Sequence, residues 1–395
     1  MAFGVVARLR PVGPWRIGPA SGARERVDLI FHSDTLYSAI CAAMGQLGWL
    51  EEWLGATALS PAGTSVRFTS LFPWQDNVLF AVPPRTHWPA PGRLRSAGIR
   101  FVPVRVIAAL LAGAVVNEQH WEADPSSGCL LPHNRRAGRP GPFRIALRSA
   151  AAVDRLSAGV VRQHRVACLE FEPASGLWFA AEFAGASAES IWSPRLRACL
   201  RLLSDTGLGG ERTLGWGHFE IAAWQPGTVL SLLAEHAAAA EPPAAVEEPT
   251  QEAPQSVEDA AAQAEPPAST ADDPPMATDA PAAEAPVSAL PAQGEQQPAD
   301  VTAYWLLSSF NPAPADEIDW QRGAYSCVTR GGRIESPAGW GAAKRLLRMV
   351  EEGSVLLCRG NPSGRAVDVA PDGFAHPVYR AGFAVAVPVP WRVNA

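Results

Sequence analysis

Residues Ser204–Phe219 have the sequence SDTGLGGERTLGWGHF, with five glycines within eleven positions. Glycine has no Cβ, so it adopts positive φ readily and lets the backbone approach a partner closely. The preceding Pro194–Leu203 has the apolar spacing of a helix, and the following Gly217–Trp224 partly alternates like a strand. This helix, glycine loop and strand predict either an anion-binding nest of backbone N–H groups or a plain connecting turn.

The sequence does not indicate cofactor or metal chemistry. The loop spacing is neither that of a P-loop nor that of a GxGxxG motif opening a helix. The six cysteines form no CxxC pair and the eight histidines no HxxxH pair. We therefore expect no cofactor and no metal site. Arg8 and Arg10 interrupt the first apolar residues and no apolar run is long enough to span a membrane, so we expect a cytoplasmic protein.

The charge of the chain is unevenly distributed. The formal net charge is −6, but residues 231–300 carry fourteen Asp or Glu and no Lys or Arg, so the remainder carries +8. Every basic residue except Lys344 is arginine, whose planar guanidinium binds phosphate and stacks on bases. A GC-rich genome would also favour arginine codons. The positive balance still fits a polyanionic partner.

The predicted elements of the first 230 residues follow the order βαββαβ. A strand over residues 2–10 and a helix from Leu36 are followed by strands at His164–Glu172 and Gly176–Phe183, and then by the helix and strand that flank the glycine loop. This is the ferredoxin-like order with an insertion after its first helix. Sheets of this kind are the platform of RNA-recognition domains.

The start of the first helix has two interpretations. Ser33 or Asp34 is a natural N-cap, and His32 is then a structural histidine. Alternatively, the free N–H groups of the first turn bind a phosphate. The capping interpretation is the more economical one for Asp34.

The insertion at about 60–145 is rich in Pro, Gly and Arg. Within it, Gly98–Val104 is predicted to form a strand and Val104–Ala114 a short helix. Arginines interleaved with aromatic side chains suit a surface that follows a nucleic-acid backbone.

The remainder of the chain divides into two parts. Residues 231–300 contain too little apolar surface to offset the entropy of ordering, so we predict a disordered acidic linker. Residues 301–395 predict a smaller, mostly β domain. The expected class is α+β, with two ferredoxin-like domains at 1–230 and 301–395.

Three stretches together resemble the RAMP proteins of CRISPR systems. They are His32-Ser-Asp-Thr-Leu-Tyr-Ser-Ala39, the loop Gly207–Gly217, and His376-Pro-Val-Tyr-Arg-Ala-Gly-Phe383. With Val328-Thr-Arg-Gly-Gly-Arg333, they are most similar to the fourth subunit of the type III-A (Csm) effector complex. The glycine loop is typical of the whole superfamily, whereas the other stretches are specific to this subunit.

The resemblance implies a non-catalytic subunit that caps the repeat-derived 5′ handle of crRNA. It implies contacts with the large Palm-domain subunit, with a backbone RAMP subunit and with target RNA near the handle. A projecting thumb, for which residues 85–145 are the candidate, would kink the guide. The implied RNA-binding residues are Arg16, His32, Ser33, Asp34, Thr35, Arg148, Gly207, Gly209, Gly210, Glu211, Arg212, Thr213, Gly215, Trp216, Gly217, Arg330, Gly331, Gly332, Tyr379 and Arg380, with thumb candidates Arg85, His87, Trp88, Arg93, Arg95, Arg135 and Arg136.

Two alternatives remain open at this point. A related RAMP protein could be a metal-independent endoribonuclease of pre-crRNA, with His32 or His87 as general base and Tyr37 or Arg16 assisting. The chain could also be the equivalent subunit of a type III-B complex.

Overall fold

The computed structural model of the chain describes residues 3–19, 21–88, 94, 97–133, 139–153, 161–238, 301–336 and 339–392. Met1–Ala240 and Gln296–Ala395 form one compact unit, and residues 241–295 lie outside the described residues. The predicted disordered linker therefore lies outside the described residues from position 239 onward. Its first residues are helical instead, because Val229 and Leu233 are buried in the core.

The described α-helices all belong to the first 238 residues. They are α1 (Ser33–Gln46), α2 (Leu50–Ala56), α3 (Val104–Leu111), α4 (Ala186–Thr206) and α5 (Val229–Ala238). The predicted helix at Val104–Ala114 is confirmed as α3. The sequence predicts that this helix starts at Pro194, but α4 begins eight residues earlier. The proline therefore lies inside the helix.

Eleven strands precede residue 230 in the described part of the chain. They are β1 (Gly4–Pro11), β2 (Val66–Phe68), β3 (Phe72–Gln75), β4 (Val78–Ala81), β5 (Val102–Pro103), β6 (Trp121–Ala123), β7 (Leu130–Pro132), β8 (Phe143–Val153), β9 (Val161–Phe171), β10 (Ser175–Phe183) and β11 (Phe219–Pro226).

The main sheet has seven antiparallel strands. Its order is β11–β1–β10–β3–β4–β5, and β2 also pairs with β10. Strand β10 lies in the interior of the sheet, and its side chains are buried on both faces at nearly every position. The predicted strand at His164–Glu172 exists, but it belongs to β9 and pairs with β8 in a separate two-stranded ribbon. Apolar alternation identifies a strand but not its partner, so β2 and β3 take the sheet position expected for this segment.

Residues 301–392 are built from strands throughout their described part. The strands are β12 (Thr302–Leu306), β13 (Glu317–Ala324), β14 (Cys327–Arg330), β15 (Arg333–Ser336), β16 (Gly339–Ala343), β17 (Leu347–Val350), β18 (Val355–Arg359), β19 (Gly364–Asp368), β20 (Tyr379–Phe383) and β21 (Ala386–Val389). Four of them form a sheet in the order β13–β18–β12–β21, and the others form two-stranded pairs. The prediction of a mostly β segment is confirmed.

One hydrophobic core joins the segments on either side of residue 239. It includes Trp15, Trp53 and Trp178 from the N-terminal segment and Trp305 from the C-terminal segment, all fully buried. The Trp305 indole Nε1 donates to the Val82 carbonyl at 3.1 Å. The sheets of both segments therefore surround one shared apolar interior.

Candidate nucleic-acid interface

The glycine loop between α4 and β11 is held by the protein itself. Gly209 has φ of +88°, and a Cβ there would clash with the Arg16 carbonyl oxygen. The N–H of Gly210 donates to that same carbonyl at 2.9 Å, and the N–H of Gly217 donates to Pro14 at 2.9 Å. Gly207 also has positive φ, at +82°. Gly209 is thus required by close packing on Arg16 and Gly217 by close packing on Leu208, which favours the connecting-turn interpretation over an open nest.

The exposed part of the loop is the short 3₁₀ turn Arg212–Leu214 that follows Glu211. Thr213 and Leu214 are exposed, and the Arg212 guanidinium forms an ion pair with Glu335 of β15. Trp216 is buried against Val166 and Cys168 of β9. Its indole is therefore a packing group, which corrects its assignment as an RNA contact.

Arg16 organises the backbone next to the glycine loop. Its side chain is buried and its guanidinium donates to the carbonyls of Ala23 at 3.0 Å, Arg24 at 2.8 Å and Ala167 at 2.8 Å. All these partners are main-chain oxygens, so the cation fixes a loop against β9. This arrangement leaves Arg16 inaccessible to RNA and corrects the prediction for this residue.

The N-terminus of α1 is covered by the C-terminal segment. The helix begins at Ser33, and its N-cap is His32, which makes no side-chain capping bond. The Ser33 N–H donates to Ser70 Oγ at 2.8 Å, and Ser33 Oγ accepts from the Ser309 N–H at 3.1 Å. Neither Ser33 nor Asp34 is the N-cap. Phosphate cannot reach this end of the helix because protein groups occupy it.

Asp34 is the centre of a buried ion cluster. Its fully buried carboxylate accepts from Arg330 at 3.0 and 3.2 Å and from Arg380 Nη1, while Arg330 also donates to Thr35 Oγ1 at 2.9 Å. Burial acts to raise the pKa of Asp34, but the charges of Arg330 and Arg380 outweigh it and hold the pKa well below its usual range. Asp34, Arg330 and Arg380 are therefore interior groups, which corrects their assignment as RNA contacts.

His32 lies between two carboxylates. Its Nδ1 is 2.9 Å from Glu352 Oε1 and its Nε2 is 3.1 Å from Asp28 Oδ2. Burial acts to lower the pKa of His32, but the charge of Glu352 and the hydrogen bonds to both carboxylates raise it to about 9. The ring is then protonated at neutral pH, and both N–H groups donate within the protein. A histidine held in this way has no free nitrogen to act as a general base.

The remaining C-terminal candidates lie around this cluster. The Gly331 carbonyl accepts from Arg380 Nη2 at 2.6 Å, Gly332 is exposed, and Tyr379 is half-buried. Lys344 is half-buried, with Nζ 3.5 Å from Ser38 Oγ. Desolvation, followed by the charge of Arg380, lowers the pKa of Lys344.

No group of three or more His, Cys, Asp or Glu side chains within the described ranges is placed to hold a metal ion. Likewise, none of the helices in the described part of the chain is sufficiently long and apolar to cross a membrane.

Residues 299–389 match the family model of the CRISPR Csm4 C-terminal domain. The C-terminal segment, from β12 to β21, therefore carries a Csm4-type domain. No protein with a curated description matches its sequence.

Solved structures extend the similarity, at the level of the fold, to nearly the whole length of the chain. One match is a crystal structure of a Csm3–Csm4 subcomplex in the type III-A CRISPR-Cas interference complex, with 15% identity, 98% of this chain and 99% of that chain covered, and a TM-score of 0.56. Another is a crystal structure of a Csm1–Csm4 cassette in complex with pppApA, with 14% identity, 99% of each chain covered, and a TM-score of 0.49.

The thumb candidates do not form a projecting element where the structure describes them. Arg85 donates to Ser326 Oγ at 2.5 Å, and His87 is buried, with burial lowering its pKa to about 4. Trp88 packs against the core. The other thumb candidates lie outside the described residues: Arg93, Arg95, Arg135 and Arg136.

The β8–β9 ribbon is a hairpin outside the main sheet, and β8 carries exposed side chains. Arg148 is half-exposed on β8 and donates to Glu170 of β9 at 2.6 Å, beside Arg144, which donates to the same carboxylate. Ile145 and Leu147, on the other face of β8, are 50% and 55% exposed. Among the predicted RNA-binding arginines, Arg148 is thus the one that lies on a described strand with an accessible side chain.

Sequence reasoning missed Asp28 and Glu352, which hold His32. Asp28 lies four residues before His32 and could have been recognised by that short spacing. Glu352 is 320 positions away and carries no local signal.

Proposed function

We propose that the chain is a non-catalytic RNA-binding subunit of a type III-A CRISPR effector complex that caps the 5′ handle of crRNA. The observation that carries the proposal is the match of residues 299–389 to the CRISPR Csm4 C-terminal domain. The succession β1, α1, β2, β10, α4, β11 in the main sheet and its helices supports a ferredoxin-like RAMP domain. The charge of +8 outside residues 231–300 supports an RNA partner, because a positive field attracts a polyanion.

The handle binds, in this proposal, on the exposed rim beside the glycine loop. The rim consists of the turn Arg212–Leu214 and of strand β15, which the Arg212–Glu335 ion pair holds together. Arg333 is exposed on the same face of β15 as Glu335, since the two are separated by one buried residue. These accessible groups replace the interior residues Arg16, Asp34, Arg330 and Arg380 as RNA contacts.

The thumb is the β8–β9 ribbon rather than residues 85–145. The ribbon meets the glycine loop where Trp216 packs on Val166, so it extends from the proposed handle site. Its exposed face carries the apolar side chains Ile145 and Leu147, which suit insertion beside a base. Residues Phe101–Leu110, by contrast, supply buried side chains to the core.

The bridging role is drawn from the similar solved structures. In them a Csm4 subunit is crystallised with Csm3 or with Csm1. We propose that this chain likewise joins the large Palm-domain subunit to a backbone RAMP subunit. Target RNA then passes near the handle end of the guide.

Three observations support the absence of catalysis. His32 is a buried cation whose two ring nitrogens both face carboxylates. His87 is buried and its Nδ1 lies 3.0 Å from the Thr86 hydroxyl. Tyr37 is also buried and its hydroxyl bonds to Thr57 at 2.7 Å. A general base must be within hydrogen-bond reach of the proton that it removes. None of these buried groups can come that close to an external RNA.

Sequencing the RNA that co-purifies with the chain and its partner subunits tests the proposal. We expect crRNA with a uniform repeat-derived 5′ end, and RNA without that end would refute the capping role. Separately, the purified chain is incubated with labelled repeat RNA in EDTA. We expect no cleavage, and cleavage above a protein-free control would establish the endoribonuclease instead.

A further inference from the structure

Both cations that hydrogen-bond to Asp34 come from the other side of residue 239. Its carboxylate is fully buried in the N-terminal segment, while Arg330 and Arg380 belong to the C-terminal segment and are themselves less than 10% exposed. Within its own segment, the Asp34 carboxylate accepts from the neighbouring Thr35 hydroxyl at 3.3 Å. Without the C-terminal segment, Asp34 would lose both partners at once.

The dependence also runs in the opposite direction. Glu352 belongs to the C-terminal segment and its side chain is 1% exposed. Its carboxylate accepts from His32 at 2.9 Å and from Ser70 Oγ, both in the N-terminal segment, and from Ser309 at 2.9 Å. Each segment thus buries a carboxylate whose positive partner the other segment supplies.

Backbone and apolar contacts also lie along this interface between the N-terminal and C-terminal segments, which we call the seam. The Ser70 N–H donates to the Leu307 carbonyl at 2.9 Å, and the Arg85 N–H donates to the Gly353 carbonyl at 3.0 Å. Phe383 packs edge-on against Tyr37 with ring centroids 5.8 Å apart. Separation of the segments would expose these apolar side chains as well as the unpaired charges.

We infer that residues 3–238 and 301–392 are complementary halves of one folding unit, neither of which folds alone, and that they stay associated when the chain between them is cut. Buried charges without partners cost far more than exposed ones, so an isolated half has no compact state that satisfies them. All the contacts that carry this inference join the two halves directly. A C-terminal domain defined by sequence is, on this view, one half of an interface and not an independent domain.

The test uses the full-length protein with a protease site inserted between Ala277 and Thr278. After cleavage, both fragments should elute together from gel filtration at the volume of the uncut protein, even at micromolar concentration. After separation in urea and dilution, only the mixture should regain a cooperative melting transition. Dissociation of the cut wild type without denaturant would overturn the inference, and so would cooperative melting of either fragment alone.

A pair of variants tests the contribution of the buried charges. Asp34→Asn removes the charge on the seam, and we expect the dissociation constant of the fragments to rise about 100-fold or more. Glu170→Gln removes a carboxylate whose partners lie within the N-terminal half, and we expect a change below about 5-fold. Equal effects of the two variants would overturn the role assigned to the cluster. If Asp34→Asn does not fold, Arg380→Gln replaces it in the same comparison.

Discussion

Asp34 is the residue whose role changes most between the sequence and the structure. As an N-cap it would contribute about 1 kcal/mol, whereas a buried carboxylate paired with two arginines costs about 3–5 kcal/mol to remove. We therefore expect Asp34→Asn to lower the free energy of unfolding of the intact chain by the larger amount. Denaturant unfolding measures it, with the exposed pair variant Glu52→Gln as control. A loss near 1 kcal/mol would contradict the buried cluster.

The ion cluster also gives stability a defined pH dependence. His32 has its pKa raised from 6.5 to about 9, so its contribution is fully present below pH 6.5 and is lost as the pH rises through about 9. The pKa of Glu352 is lowered from 4.5 to about 2, so its contribution is present above pH 4.5 and is lost as the pH falls toward 2. The cluster should therefore stabilise most between pH 4.5 and 6.5.

Melting temperatures measured from pH 4 to pH 10 test this profile. The decline above pH 6.5 should disappear in His32→Gln, because that side chain does not titrate. If the melting temperature of His32→Gln still declines above pH 6.5 as in the wild type, other titratable groups cause that decline.

In the glycine loop, the cost of a left-handed backbone can be measured separately from the cost of a steric clash. Gly209 and Gly215 have nearly the same φ, +88° and +79°, but a Cβ at Gly209 would strike the Arg16 carbonyl, whereas nothing lies within 4 Å of one at Gly215. Gly215→Ala should cost about 1–2 kcal/mol for the left-handed backbone alone. Gly209→Ala should cost clearly more, measured by thermal unfolding. Equal losses would mean that the loop does not pack on Arg16 as described.

The β8–β9 ribbon gives the corresponding test of RNA binding. Arg148→Ala should reduce the crRNA retained by the purified complex several-fold, while the melting temperature changes little, because exposed ion pairs contribute only about 0–1 kcal/mol. Arg359 is also an exposed arginine paired with a glutamate, on β18 of the other segment. Arg359→Ala is the matched control and should leave retention unchanged. Equal retention by both variants would remove the ribbon from the RNA surface.

Local elements could be predicted from the sequence, but their partners could not. Apolar spacing located α3 and strands such as β1, β10 and β11, because each pattern is contained in one element. It could not reveal that His164–Glu172 pairs with β8, nor that Asp34 meets Arg330 and Arg380 nearly 300 residues later or more. Motif resemblance selected Asp34, Arg330 and Arg380 together as site residues, but it could not distinguish an internal charge pair from an RNA contact.

At the scale of the whole molecule, residues 239–299 should be dispensable for folding. The contacts between the two segments are direct, and this acidic stretch would be repelled by RNA. Replacing it with a Gly/Ser tether should leave the melting temperature close to that of the wild type. The amount of crRNA retained should stay within a few-fold of the wild-type amount. A scrambled sequence of the same composition serves as control. A loss of assembly in the tether variant, with the scrambled variant unaffected, would show that acidic charge is needed.

Lys344 makes the reaction of this protein with amine-directed reagents unusually simple. It is the single lysine of the chain, and it lies half-buried beside Arg380 with a lowered pKa. Succinimidyl dyes and lysine cross-linkers therefore have one internal target, positioned at the seam between the halves, and the α-amino group as their other one. An isotopic reagent that modifies Lys344 would therefore report on the accessibility of this one amine between the halves.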